Sequence, residues 1–225
     1  MSDAAPLLTV DGLSRHYDGG AVRALEGVTF EAWAGEVVAL TGPSGCGKST
    51  LLSLIGLLDQ PTSGRVRLAG QDLATVRQPG NFRARHIGFV FQFHHMVSTM
   101  TLLENVAAPM IALGLDRAER RARSSDMLEQ MNLSARAGFL PANVSGGERQ
   151  RAAVARALIN RPPVILADEP TGNLDSHNNK IVVDLLMAHA RSQGALVLIA
   201  THNPEIARAA DRHIELCDGS LVTPR

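Results

Sequence analysis

Long apolar runs, an excess of charge of one sign and cysteine are all scarce in this sequence of 225 residues. The most apolar stretch, residues 51–58, is interrupted by Ser53 and Gly56 and is far shorter than the ~20 residues of a membrane-spanning helix. Basic and acidic residues number 22 each, so no overall field attracts the chain to nucleic acid or to an anionic membrane. Any anion that this protein binds must be held by a local site.

The two cysteines, Cys46 and Cys217, are too few for a disulfide framework and do not have the spacing of metal ligands. They favour a reducing, cytoplasmic setting. The opening residues, MSDAAPLLTV, lack the basic segment and the long apolar stretch of a secretory signal. If a membrane is involved, we expect another chain to supply the span.

Short apolar segments bounded by glycine or proline predict β-strands, and several are apolar throughout, as in a parallel sheet buried on both faces. They lie at residues 7–10, 36–40, 86–91, 163–168 and 195–200. Helical patterns separate them, at residues 48–58, 149–160 and 178–194. Alternation of strands and helices predicts an α/β layered core.

Two regions depart from this alternation. Residues 27–33 and 63–73 predict short antiparallel strands, and residues 213–222 predict a hairpin around Asp218 and Gly219. From residue 102 to 132 helix-forming residues replace the strand pattern. Because the sequence has neither a low-complexity linker nor an internal repeat, we predict a single domain over residues 1–225: a parallel-sheet core with an N-terminal antiparallel β subdomain and a helical subdomain inserted at about 93–158.

A glycine-rich segment, GPSGCGKST, connects the strand predicted at 36–40 to the next helix. It meets the pattern G-x-x-x-x-G-K-[ST] in the strand–loop–helix context that the phosphate-binding loop requires. Glycine lets successive backbone N–H groups point inward, and the lysine and the helix N-terminus add positive charge. We predict a polyphosphate site, with Ser49 as a Mg²⁺ ligand and Thr50 on a phosphate oxygen. Its residues are Gly42, Pro43, Ser44, Gly45, Cys46, Gly47, Lys48, Ser49 and Thr50.

The segment PVILADEP supplies two carboxylates at the end of a buried strand. We predict that Asp168 belongs to the magnesium site and that Glu169 polarises an attacking water. Pro170 is expected to hold Glu169 in an extended conformation. Taken alone, the two acids fit a surface strand end equally well, and the phosphate loop favours the catalytic interpretation.

The segment VSGGERQRAAVARAL resembles the signature motif of ATP-binding-cassette (ABC) proteins, whose usual form is LSGGQ. Val144 and Glu148 depart from that form, although SGGERQR is a familiar variant of it. Four further elements resemble the family in order: Tyr17 as the adenine-stacking aromatic, Gln92 as the Q-loop, residues 173–175 as the D-loop and His202 as the switch histidine. The resemblance covers nearly the whole chain.

The resemblance implies ATP and Mg²⁺ as cofactors and a homodimer in which each ATP lies between the phosphate loop of one copy and the signature of the other. It implies catalytic roles for Glu169, His202 and Gln92, with Gln92 also at the metal. It implies nucleotide contacts from the segment Ser145, Gly146, Gly147 and Glu148 and from Asp175 of the second copy.

Three classes of protein share the phosphate loop. A small-molecule kinase has no use for the signature, and a repair-type ABC ATPase inserts a long coiled coil where Gln92 and Ser145 are only 53 positions apart. A transporter subunit is therefore favoured, and a soluble ABC ATPase acting mechanically on another macromolecule is the alternative. Arg149, Arg151 and Arg156 could form a nucleic-acid stripe, but a solvated or salt-bridged face is favoured.

The segments FQFHH, SGGERQR and DEPTGNLDS resemble the group that contains lipoprotein-releasing and macrolide-exporting ATPases. That resemblance implies a separate transmembrane permease as partner, no nucleic acid, and a peripheral location on the cytoplasmic face of the inner membrane. Residues 93–96 are expected to meet a short cytoplasmic helix of the permease. Cys46, close to Lys48 and a helix N-terminus, is expected to be a reactive thiolate that ATP would protect.

Overall fold

The structure, a computed structural model, describes residues 5–172 and 176–222. In chain order its strands are β1 (Leu8–Tyr17), β2 (Val22–Ala32), β3 (Val37–Thr41), β4 (Ser63–Leu68), β5 (Gln71–Asp72), β6 (Ile87–Phe91), β7 (Val164–Asp168), β8 (Leu196–Ala200), β9 (Arg212–Cys217) and β10 (Ser220–Leu221). Its α-helices are α1 (Lys48–Ile55), α2 (Pro79–His86), α3 (Leu102–Ile111), α4 (Arg117–Gln130), α5 (Gly146–Leu158), α6 (Ser176–Gln193) and α7 (Pro204–Ala209).

The strands form two sheets. A four-stranded antiparallel sheet has the order β2-β1-β4-β5, and a six-stranded sheet has the order β10-β9-β3-β8-β7-β6. In the second sheet β9, β3, β8, β7 and β6 run parallel and β10 runs antiparallel to β9. The predicted parallel core and the predicted antiparallel strands near the N-terminus are both confirmed. The segment at 7–10 lies in the antiparallel sheet, as the start of β1.

The parallel sheet is buried on both faces because side chains alternate along each strand. Val38 and Leu40 of β3 face the apolar cluster that contains Leu51 of α1 and the inner side of the antiparallel sheet. Val37 faces the opposite cluster, together with apolar residues of α3, α5 and α6. This double burial explains why the strand segments are apolar throughout.

The predicted hairpin at 213–222 is confirmed by the pairing of β9 with β10. Its turn residues Asp218 and Gly219 have φ angles of 47° and 79°, the left-handed values that a two-residue turn between twisted strands requires. In addition, β9 pairs with β3, so the hairpin lies beside the strand that leads into the phosphate loop.

Helix boundaries differ from the sequence pattern in places. The helix α1 ends at Ile55, not at residue 58, and Gly56 packs so closely on Phe89 that an added Cβ would lie 2.2 Å from the ring. The predicted helical stretch at 102–132 contains α3 and α4, each with a side-chain N-cap, from Thr101 and Asp116. Within residues 5–172 and 176–222, no helix combines the length and the apolarity needed to cross a membrane.

The position of α5 against the sheet depends on a close approach at Gly88 of β6. A Cβ atom there would lie 2.4 Å from the backbone oxygen of Ala157 and 3.0 Å from Pro162 Cγ. We predict that Gly88→Ala lowers the free energy of unfolding by ~1–3 kcal/mol, because the backbone must move to admit the methyl group. Urea unfolding measures the change.

Gly138→Ala is the matched control, because a Cβ atom at Gly138 meets no atom within 4 Å. It should change the free energy of unfolding by less than ~0.5 kcal/mol. Equal midpoints and slopes for the Gly88→Ala variant and the parent would contradict the prediction.

Candidate functional site

The candidate site lies where parallel strands end side by side. Phe91 of β6 is paired with Asp168 of β7, Asp168 with Ala200 of β8, and Ala200 with Leu40 of β3. The loops that follow these strands therefore leave the sheet from one edge. Such an edge is where α/β proteins place their ligand sites.

The phosphate loop (residues 42–50) is shaped by close backbone contacts. Gly42 and Gly47 have φ angles of 133° and 105°, which side chains rarely adopt. A Cβ atom at Gly42 would lie 2.1 Å from the oxygen of Leu216, and one at Gly47 would lie 2.4 Å from the oxygen of Ala24. These positions therefore require glycine on two grounds, conformation and space.

Lys48 is drawn into its own loop. Its side chain is buried, at 8% exposure, and the ammonium group donates hydrogen bonds to the backbone oxygens of Gly42 at 2.8 Å and Pro43 at 2.9 Å. The residue thus carries a positive charge at the centre of the loop, held by neutral carbonyl groups. None of the ion pairs found among the described residues involves Lys48, so its charge is available to a bound anion.

The expectation of an accessible Cys46 thiolate is wrong. Its side chain is 3% exposed and belongs to the apolar cluster between the sheets, with Sγ 3.7 Å from Lys48 Nζ. The backbone of Cys46 has a structural role, because its oxygen accepts a hydrogen bond from Gly219 N in the hairpin turn, at 3.2 Å. The Cys46 N–H donates to the oxygen of Pro43 at 3.3 Å, so the loop backbone holds this residue with its thiol in the core.

Ser49 and Asp168 are brought together. The Ser49 hydroxyl donates a hydrogen bond to the Asp168 carboxylate. Burial raises the pKa of Asp168, and the charge of Glu169 adds to that rise, while the Ser49 hydrogen bond and the Lys48 charge oppose it. A hydroxyl and a carboxylate thus meet beside the lysine, and the carboxylate carries a charge that the protein only partly compensates.

Glu169 lies against His202, with Oε1 2.9 Å from Nδ1. The expectation that Glu169 is extended is wrong, because its φ angle is 46°. Proline restricts the preceding residue by excluding the right-handed helical region, and here the backbone adopts left-handed geometry instead. The Glu169 N–H donates to Ala200 O at 2.9 Å and its carbonyl accepts from Gly172 N at 3.1 Å.

Gln92 also reaches this edge. Its Nε2 would lie 2.9 Å from a Cβ atom at Gly172, so the side chain packs on the turn that contains Glu169. Asp175, the remaining residue predicted near this point, lies outside the described residues.

Tyr17 is fixed at the end of β1 by two partners that sequence reasoning missed. Its hydroxyl donates to Asp59 Oδ2 at 2.8 Å, and the Arg15 guanidinium lies 4.5 Å from the ring centroid. Arg15 also donates to Asp59 Oδ1 at 2.9 Å. Arg15 therefore covers one face of the ring. The signal that could have found it is its position two residues before Tyr17, on the same side of the strand.

The signature residues form the start of α5. Ser145 Oγ accepts from Glu148 N at 3.2 Å, and a Glu148 carboxylate oxygen accepts from Ser145 N at 2.7 Å, a capping box. Arg136 donates to the other carboxylate oxygen at 3.0 Å. The hydrogen bond from Ser145 N and then the one from Arg136 are the main causes that lower the pKa of Glu148 to about 2. The capping pattern S-x-x-E was present in the sequence and explains glutamate at this position.

The helix α5 is fastened on both sides of residues 173–175. Gln150 Nε2 donates to the oxygen of Pro170 at 2.7 Å, and Arg151 donates to Asn178 Oδ1 at 2.8 Å. Asn178 also fills the space over Gly147, where a Cβ atom would lie 2.5 Å from Oδ1. No pattern in the sequence singles out Gln150, because its partner is a backbone oxygen 20 residues away.

The arginines of α5 do not form the solvated or salt-bridged face that was expected, because they bind backbone oxygens. Arg149 donates to Pro141 and Val144, and Arg151 donates to Met131 in addition to Asn178. Arg156 donates to the two residues that follow Phe93, His94 and His95, whose φ angles are both positive. These arginines hold the connecting segments around the helix.

A phosphate loop with a buried lysine, at the edge of a parallel sheet and beside a hydroxyl–carboxylate pair, places the protein among the P-loop nucleoside triphosphatases of α/β fold. Residues 25–172 match the ABC transporter family. The chain belongs to the ABC transporter family and is an ATPase, the nucleotide-binding subunit of a transporter of the LolD and MacB type.

Relatives of known name and structure agree with this assignment. The chain is 46% identical over 229 residues to the lipoprotein-releasing system ATP-binding protein LolD 2 of Caulobacter vibrioides, with 100% of both chains covered. It is 44% identical over 221 residues to the macrolide export ATP-binding/permease protein MacB of Escherichia coli, covering 96% of this chain but only 34% of MacB. The chain thus spans about a third of the length of its MacB relatives. The dimeric ATP-binding cassette MJ0796, bound to ADP and Pi, superposes with a TM-score of 0.89 at 37% identity, over 96% of this chain and 97% of that one.

The burial of Cys46 generates a labelling prediction. Cys217 is exposed, and the Asp218 charge raises its pKa, which slows but does not prevent its reaction. We expect a thiol reagent to modify one cysteine of the native protein, with the same rate in the presence and absence of MgATP. Spectrophotometric thiol titration counts the reacting groups.

Cys217→Ser should remove the fast reaction and leave Cys46 unreactive until the protein is unfolded in urea, when one thiol should appear. Rapid modification of the native Cys217→Ser variant, with protection by MgATP, would show instead that Cys46 is accessible.

Proposed function

We propose that this chain hydrolyses ATP at a site shared between two copies of itself and thereby drives a separate membrane permease. The observation that carries the proposal is the meeting of two pairs at one sheet edge, Ser49 with Asp168 and Glu169 with His202. The hydroxyl and carboxylate of the first pair can bind a metal ion that is bound to phosphate, and the carboxylate and imidazole of the second can orient a water molecule and accept its proton.

In this proposal the phosphate loop binds the polyphosphate of ATP. Backbone N–H groups of residues 42–50 and the N-terminus of α1 surround the phosphates. Lys48 exchanges its contacts with Gly42 and Pro43 for phosphate oxygens, and Thr50 binds a further oxygen. Tyr17 stacks on adenine with the ring face that Arg15 leaves open.

The residues present fit Mg²⁺. Ser49 and Asp168 supply the hydroxyl and carboxylate oxygens that this ion prefers, and Gln92 is the proposed third contributor from the protein. The raised pKa of Asp168 records a buried charge that a cation would stabilise. When bound, Mg²⁺ neutralises charge on the phosphate oxygens.

Glu169 is the proposed base that orients and polarises the attacking water, and His202 holds both Glu169 and the γ-phosphate. Gln92 is the proposed sensor of the γ-phosphate. The left-handed backbone of Glu169, fixed to Ala200 and Gly172, supports this role, since non-glycine residues hold such geometry only where the surroundings impose it.

We further propose that the signature of one copy completes the ATP site of the other, as the dimeric state of MJ0796 suggests. Ser145, Gly146 and Gly147 offer a hydroxyl and helix N-terminal N–H groups to the γ-phosphate. Glu148 caps the helix, and Asp175 contributes across the interface.

The permease partner and the inner-membrane location are proposals that rest on the names of the relatives, LolD and MacB. The names of these relatives also support lipoprotein release, or a related export task, as the process that the ATPase drives. A cavity of about 300 Å³ beside the Q-loop supports docking, because Phe89, Phe91, His95 and Pro109 line it. Met96 packs on the cluster around α3 and α5, whereas Phe93 is 66% exposed.

The first test is Glu169→Gln, which keeps the shape of the side chain but removes its charge. We expect the rate of ATP hydrolysis to fall by about 100-fold or more, with ATP still bound. Because ATP would then join two copies, the variant should sediment as a dimer with MgATP and as a monomer without it.

The controls separate binding from hydrolysis. Lys48→Ala should stay monomeric in both conditions, His202→Ala should resemble Glu169→Gln, and Glu205→Gln, an exposed acid on α7, should hydrolyse ATP at the parent rate. A Glu169→Gln protein with the parent rate would remove this residue from the mechanism.

The second test concerns docking. Phe93→Ser should keep the ATPase rate of the isolated chain and its ATP-dependent dimer, but should lose the permease that co-purifies with the parent chain, because the exposed ring is removed from the interface. Val22→Ser removes a comparably exposed apolar side chain, 50% exposed on β2, and should co-purify as the parent does. Equal recovery of permease with both variants would place the contact elsewhere.

A further inference from the structure

Glu169 is held in a backbone geometry that its neighbours must maintain. A positive φ angle costs a non-glycine residue on the order of 1–3 kcal/mol and persists where surrounding bonds impose it. Two of those bonds are the contacts of the Glu169 backbone with Ala200 and Gly172. They fix the N–H of Glu169 to the end of β8 and its carbonyl group to the turn that follows.

The peptide between Pro170 and Thr171 has a separate hydrogen bond. Pro170 has no N–H, so its carbonyl oxygen is the only backbone group with which it can be hydrogen-bonded. That oxygen accepts a hydrogen bond of 2.7 Å from Gln150 Nε2. Pro170 is buried, so the oxygen would be costly to leave without a donor.

Gln150 is a polar residue in a buried position, and its bond to Pro170 is the favourable contact of its amide group. The side chain is 1% exposed, and its Oε1 atom is buried without a hydrogen-bond partner among the described residues. An apolar residue of the same length would avoid the cost of that unpaired oxygen. A glutamine here is therefore explained by the donor that it presents to Pro170, not by packing.

We propose that Gln150 is a positioning residue for ATP hydrolysis: by holding the Pro170 carbonyl it sets the orientation of Glu169. This inference rests on the proposed role of Glu169. In this proposal Gln150 acts on Glu169 only through the peptide between Pro170 and Thr171, whose oxygen it binds. Gln150 lies on α5, two residues after Glu148. In this proposal one helix therefore contacts the ATP of the partner copy at its N-terminus and, through Gln150, orients the carboxylate that acts on the ATP of its own copy.

The test is Gln150→Met, which keeps the length and apolar body of the side chain but removes the donor. We expect kcat for ATP hydrolysis to fall about 10- to 100-fold, since a displacement of about 1 Å at a reacting group costs that much. KM for ATP should stay within about threefold, because the phosphate loop is unchanged.

Asn160→Leu is the matched control. Asn160 likewise donates to a backbone oxygen, that of Ala84 at 2.8 Å, and likewise buries an Oδ1 atom without a partner among the described residues. It lies two residues beyond the C-terminal end of α5, and the oxygen that it binds belongs to α2. It should leave kcat of the isolated chain within about twofold of the parent.

A double-variant cycle separates positioning from a general structural role. If Gln150 acts through Glu169, then Gln150→Met in a Glu169→Gln background should slow hydrolysis by less than about twofold further. Multiplicative loss would overturn the inference, as would a parent-like kcat for Gln150→Met alone. If Glu169→Gln itself keeps the parent rate, the proposed function fails, and the inference fails with it.

Gln150→Glu adds a readout that does not depend on tolerance of methionine. As a carboxylate it presents only acceptors to the Pro170 oxygen, and when protonated it presents a donor. Burial raises the pKa of such a group, so the kcat ratio of variant to parent should increase as the pH is lowered from 8.5 to 6. A ratio that stays flat or falls over this range would overturn the inference.

Discussion

The alignment of strand ends in the parallel sheet is the constraint on which the site depends. Because β6, β7 and β8 are paired in register at their last residues, and β8 with the last residue but one of β3, the segments that follow these four strands leave the sheet together. Backbone hydrogen bonds extend this alignment beyond the strands: Glu169 N–H binds Ala200, and Thr201 N–H binds Leu40. Residues as distant in the chain as Leu40 and Thr201, 161 positions apart, thus become neighbours without any contact between their side chains being needed.

Several backbone carbonyl groups in the loops around this edge accept hydrogen bonds from long polar side chains. A carbonyl group outside a helix or sheet needs a donor, and in this protein long polar side chains provide it. Lys48 donates to the oxygen of Gly42, Arg156 to that of His94, and Gln150 to that of Pro170. These bonds give irregular segments a fixed shape without adding regular structure.

Local patterns in the sequence predicted the sheet and its layers, because burial on both faces imprints an apolar run on each parallel strand. Glycine spacing predicted the phosphate loop, and the end of a buried strand predicted the position of Asp168 and Glu169, because both are local properties. Gln92 and His202 were predicted at this edge only from the resemblance of their motifs to the ABC family. Local patterns failed for Glu169, where proline excludes one backbone conformation but leaves two, and for Cys46, whose side chain is buried in the apolar cluster between the sheets. The role of Glu148 as a helix cap was legible in the spacing from Ser145. Partners that are backbone oxygens, such as that of Pro170, leave no trace in residue types.

The hairpin of β9 and β10 supports the phosphate loop from behind. Gly219 binds the Cys46 oxygen, and the backbone of Leu216 lies directly against Gly42, although these partners are separated by more than 170 residues of chain. During synthesis on the ribosome, the loop is made more than 170 residues before this support. Until the hairpin has been made, the loop therefore lacks the backbone contacts that hold Gly42 and Cys46 in place.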